Sequence, residues 1–95
     1  MENLRAEMAE ILEKIKNRKY IEAQKLFAEY YDDIKNFIVF LGENGIISPE
    51  DIRDLSENMV KALENSDYYR LEDLLQYALL SVYDQLFAEE TENEE

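Results

Sequence analysis

From Tyr20 to Leu41 the apolar side chains fall at Tyr20, Ala23, Phe27, Tyr30, Ile34, Phe37 and Leu41, at alternating spacings of three and four. A strand cannot use that rhythm, because its side chains change face at every residue, whereas a helix gathers it into one stripe. The rhythm predicts a helix over about 20–41 that packs along its whole length. Leu4, Met8, Ile11 and Ile15 set an earlier helix over about 2–16. It stops at the polar run "KNRK", since continuation would bring Arg18 and Glu22 into the stripe. Ile52, Leu55, Met59 and Leu63 set a third helix over about 49–64. Leu71, Leu74, Leu75, Ala78, Leu79, Val82 and Leu86 set a fourth over about 68–88.

The residues that punctuate these segments are few. Two glycines and one proline in 95 residues leave little material for the turns of a sheet, and all three sit in one stretch, "GENGIISPED". There Gly42 suits the left-handed position after the second helix, and Ser48 can cap the third, with Pro49 at the first helical position and Asp51 two residues on. Ile47 and Ile52 are spaced to close a hydrophobic staple across that cap, and loss of Ser48 is expected to cost about 1 kcal/mol. Asp67 is a fair N-cap for the fourth helix. The expected fold is all-α: a four-helix bundle built from two αα-hairpins, one domain over 1–88, followed by a disordered acidic C-terminal tail over 89–95. A shift of 48 residues lays the halves on one another, matching Arg5 with Arg53, Ile11 with Met59, Asn17 with Asn65, Tyr20 with Tyr68 and Leu26 with Leu74. Helical periodicity alone can also produce such matches.

Composition excludes most chemistry. The chain has no cysteine, histidine or tryptophan, so thiolate and imidazole nucleophiles and the usual transition-metal ligands are missing. No catalytic residue, metal site or cofactor is expected. The carboxylate groups Asp32/Asp33, Glu50/Asp51/Asp54 and Glu72/Asp73 read as solvated faces and first-turn charges, because neighbours on a helix diverge by about 100°. No glycine-rich phosphate loop and no calcium-binding loop of the EF-hand type is present. The formal net charge is −13, with fifteen acidic and three basic side chains from residue 36 onward. That balance argues against nucleic acid and anionic lipid as partners. No apolar run approaches a membrane span or a signal peptide core, so a soluble, cytoplasmic protein is expected.

The fourth helix is apolar on more than one face. At 100° per residue Tyr69, Tyr77, Leu80 and Phe87 fall on a second stripe, away from Ala78. Such a helix is either central in its fold or covers a partner, and the four residues are the candidate partner-binding site. Tyr20 and Tyr68, each just after a polar turn, read either as rings closing the end of the core or as a ligand-stacking pair. The segment "KALENSDYYRLEDLLQYALLSVYDQL" resembles a stretch of small, uncharacterised helical proteins of bacteria, which implies a helical fold and no particular activity. In class and composition the chain is also similar to the small acidic export chaperones of flagellar and secretion systems, which implies a binding role. The expected function is therefore that of a small acidic interaction protein, adaptor or chaperone-like. Its partner would be a protein segment or a second copy in a homodimer. The alternative is an acidic inhibitor or nucleic-acid mimic that offers carboxylates to a basic protein surface.

Overall fold

The computed structural model describes residues 3–93, with side chains through Phe87, and every regular element among them is helical. Helix α1 spans Leu4–Lys16, α2 Tyr20–Glu29, α3 Tyr31–Glu43, α4 Pro49–Glu64 and α5 Tyr68–Asp73. A π-helical segment, Leu74–Leu80, continues α5 directly into α6, Ser81–Asn93. Of the expected acidic tail, residues 89–93 continue α6, while Glu94 and Glu95 lie outside the described residues.

The expected helix over 20–41 is two helices, parted at Tyr30, whose φ of −95° and ψ of 6° leave the helical region. Length gives the reason. A straight helix of that span would run about 33 Å, well past the 13 residues of α1 that its first half covers. The bend lets α2 lie along α1 while α3 turns onto α4. The stripe survives on both sides of it, with Ala23 and Phe27 buried from α2 and Ile34, Phe37 and Leu41 from α3. The Tyr30 hydroxyl donates to Glu10 Oε2 at 3.1 Å and ties the bend to α1.

Three helix ends use one device. Asn17, Asn44 and Asn65 close α1, α3 and α4, and the next residue takes a left-handed φ: 59° at Arg18, 68° at Gly45 and 54° at Ser66. The residue after that donates its N–H back to a carbonyl five positions earlier, Lys19 to Lys14 at 2.8 Å, Ile46 to Leu41 at 2.9 Å and Asp67 to Ala62 at 2.8 Å. These are Schellman closures, which satisfy carbonyls the helix itself leaves open. The side-chain amides of Asn17 and Asn44 donate to the carbonyls of Glu13 and Phe40. Gly45, and not Gly42, thus holds the left-handed position. Gly42 lies in the last turn of α3, where a Cβ would strike Cδ1 of Ile52, so its lack of a side chain lets α3 approach α4. Helix starts follow expectation: Ser48 Oγ accepts from the N–H of Asp51 at 3.1 Å with Pro49 beside it, and Asp67 Oδ1 accepts from the N–H of Arg70 at 3.1 Å.

The π segment explains the broad apolar surface of the last helix. Leu71, Leu75 and Leu79 are all fully buried at a strict spacing of four, and Tyr83 continues the series. In an α-helix that spacing drifts by about 40° per step. The wider π turn, closed by i→i+5 bonds, absorbs the drift and keeps the series on one side. Some positions 48 apart occupy matching places in the two halves. Ile11 and Met59, Ala23 and Leu71, and Phe27 and Leu75 are buried in pairs. The turns after Asn17 and Asn65 share one conformation, and the break at Tyr30 corresponds to Ala78 within the π segment. No polar side chain among the described residues is fully buried. The chain measures 39 × 32 × 19 Å. Its short dimension is about two helix diameters, so most helices keep a face toward solvent.

Candidate functional site

The structure separates the four residues of the expected second stripe. Tyr69, on α5, is 84% exposed and borders a cleft with Tyr20, Tyr68 and Glu72, close to Lys16 and Arg18. Tyr77 is 66% exposed and shares an open depression with Leu80, which is half-buried against the core. Phe87 is also half-buried; its ring lies 4.6 Å from that of Tyr83, which in turn sits 5.5 Å from the buried Phe37. Tyr77 and Leu80 are therefore brought together, while Tyr69 and Phe87 face other surroundings. Of Tyr20 and Tyr68, Tyr68 packs against the core. Their rings stack on each other, 4.2 Å apart and 10° from parallel, and Gln24 Nε2 donates to the Tyr68 hydroxyl at 2.6 Å.

A different apolar surface stands out between α3 and α4. A groove of about 160 Å³ is walled by Tyr31, Ile38 and Val39 on one side and by Ile52, Val60 and Leu63 on the other, with Phe27, Ile34 and Met59 at its base. Only Lys35 and Ser56 interrupt its apolar wall. The base is buried, yet Tyr31, Val39 and Val60 are 43%, 45% and 46% exposed. Helix α3 carries a continuous run, Phe37, Ile38, Val39, Phe40 and Leu41, in which Phe37 and Leu41 belong to the core stripe. That run was the signal available in the sequence, since five apolar residues in succession exceed what one helix face can bury. On α4, Val60 adjoins Met59 in the same way.

Charged groups frame the molecule. Arg5 reaches from α1 to Asp84 on α6, with Nε 2.8 Å from Oδ1, and this contact raises the guanidinium pKa above its ordinary value. Between α1 and α3, Oε1 of Glu7 is closed off from solvent and receives no hydrogen bond among the described residues. Burial, and then the neighbouring Asp33 carboxyl, push the Glu7 pKa up to about 7. Tyr30, donating to Glu10, is likewise held above the ordinary phenol value, chiefly by that hydrogen bond. Among the described residues no group of three or more acidic side chains is placed to hold a metal ion. None of their helices is long and apolar enough to cross a membrane.

No curated protein and no solved structure matches the chain. One family does match, from Met1 to Glu89, a span that takes in α1 through α5, the groove and the π segment. The chain belongs to that family, described as a domain of unknown function (DUF8042).

Proposed function

We propose that the chain is a small acidic interaction protein, adaptor or chaperone-like, in which a bundle of two hairpins holds an apolar groove open for a segment of another protein in the cytoplasm. The observation that carries this reading is the α3–α4 groove, where three large apolar side chains stay exposed side by side over a buried base. Single exposed apolar residues are ordinary on a protein surface; a contiguous concave set marks a contact surface. Tyr77 and Leu80 offer a second, shallower surface, and a second copy of the chain is the competing occupant of either. The reading is of a binding protein and not an enzyme.

A photo-crosslinking residue placed singly at Val60 and at Tyr77 tests it in native lysate. Adducts with a foreign protein from Val60 support the reading. Adducts only between copies of the chain give a homodimer instead, and the absence of any adduct from both positions contradicts it.

Charge favours the second reading, an acidic inhibitor or nucleic-acid mimic. Helices α3 and α4 together carry eight acidic and three basic side chains. An inhibitor of that kind binds by long-range attraction, so its affinity falls steeply as salt screens the charges. It would also be indifferent to substitutions in the groove.

A further inference from the structure

The groove has an internal counterpart. Shifted by 48 residues, its wall maps onto α6, α1 and the end of the π segment: Lys35 corresponds to Tyr83, Val39 to Phe87, Ile52 to Leu4, Ser56 to Met8 and Val60 to Leu12. At the counterpart Leu4, Met8 and Leu12 are buried, and the rings of Tyr83 and Phe87 lie half-buried against the core, 4.6 Å apart. The Arg5–Asp84 ion pair links α6 to α1 there. On the groove side the matching residues are Arg53 and Asn36, which carry no such pair of opposite charges. Two aromatic rings and a methionine on one side are thus replaced on the other by a lysine, a valine and a serine. Val60 is left exposed, and Ile52, half-buried against the core, lines the groove beside it. What the groove lacks is a ring at the places of Lys35 and Val39, its own rings, Phe27 and Tyr31, standing where the counterpart has Leu75 and Leu79.

The surroundings select who can supply it. Glu57 and Glu64 flank Val60 in the depression that adjoins the groove, with Lys61 between them. The two helices that form the walls are acidic in excess. A second copy would bring another net charge of −13 against the first, and like charges brought together oppose association. A cationic segment meets no such barrier. A helix is the form in which a short segment can present one apolar face to a groove and charge on both flanks.

Resting on the reading as an interaction protein, we propose that the α3–α4 groove takes a basic amphipathic helix through an aromatic anchor, which supplies there the aromatic cover that Tyr83 and Phe87 lay against the core at the counterpart. The anchor sits over Ile52 and Val60, and its basic flanks meet Glu57 and Glu64.

A synthetic peptide of about 18 residues, long enough to form a helix on binding, tests this with the full chain. It carries one tryptophan at its centre, leucines one turn away on each side and lysines along both edges. The chain has no tryptophan, so emission reports the peptide alone. The expected result is a blue-shifted emission and saturable binding that weakens about tenfold as salt rises from low to several times physiological strength. The double variant Val39→Phe with Ser56→Met installs the counterpart's own residues in the groove. It should weaken binding about tenfold or more, as expected for loss of an aromatic anchor's pocket, while keeping or raising the melting temperature. Ile21→Ser, at an exposed position of α2 outside the groove, should leave binding unchanged. Equal binding to the filled variant overturns the proposal, as does equal binding of a peptide with glutamates in place of the lysines. A chain that sediments as a dimer, and loses that state on Val39→Phe, overturns it in favour of a second copy. If the peptide fails while Val60 still crosslinks to a foreign protein, the occupant is wrong and the interaction reading stands; if both fail, both fall.

Discussion

On α1, Glu7 has one carboxylate oxygen closed off from solvent and Asp33 as its neighbour, and its pKa rises from 4.5 to about 7. The folded chain therefore holds a proton on Glu7 that the unfolded chain releases at lower pH. The group's contribution to stability is complete below its ordinary value of 4.5 and is lost as pH rises through about 7. Glu7→Gln supplies a permanently neutral side chain of the same shape. It is expected to stabilise the chain at pH 8, and to flatten the fall in melting temperature between pH 4.5 and 7; an unchanged pH profile would show that Glu7 is ionised in the folded chain. A second residue-scale test concerns the left-handed positions. Arg18 and Ser66 adopt φ values of 59° and 54°, where a side chain costs about 1 kcal/mol. Ser66→Gly should raise stability by about that amount, read as a shift in urea midpoint.

Among the elements, the α3–α4 connection distributes its two glycines between different tasks. Gly45→Ala forces a side chain into a left-handed φ and should destabilise by about 1 kcal/mol. Gly42→Ala gains about 1 kcal/mol of helix propensity but must push aside Cδ1 of Ile52, the flexible end of that chain, so its net effect should be near zero. Equal losses at the two sites would contradict this assignment. The caps at Ser48 and Asp67 and the stripes of α1 through α4 were legible in the sequence because each depends on neighbours three or four residues apart. The bend at Tyr30 was not, because the heptad spacing continues through it and only the lengths of the partner helices demand it. The π segment was hidden for a related reason: a helical wheel drawn at 100° per residue cannot follow Leu71, Leu75 and Leu79 through a wider turn. That is why Leu80 and Phe87, set on an outer stripe by the wheel, lie half-buried in the structure, while Tyr77 stays out.

For the whole molecule, a thickness of about two helices means that apolar surface in excess of one stripe per helix has nowhere to go. Tyr31, Val39 and Val60 show the consequence, and the second half of the chain shows the remedy in Tyr83 and Phe87. The stacked Tyr20 and Tyr68 are themselves 48 residues apart and join the starts of α2 and α5. Composition makes a binding role the expectation, but it cannot say which surface would bind, because exposure depends on which helices cover which. The most direct measurement is a backbone amide shift map of the full chain, titrated with the basic tryptophan-bearing peptide. Perturbations gathered around Tyr31, Val39, Ser56 and Val60 are expected; perturbations centred on Tyr69, Tyr77 and Leu80, or none at saturating peptide, would contradict the groove as the docking surface.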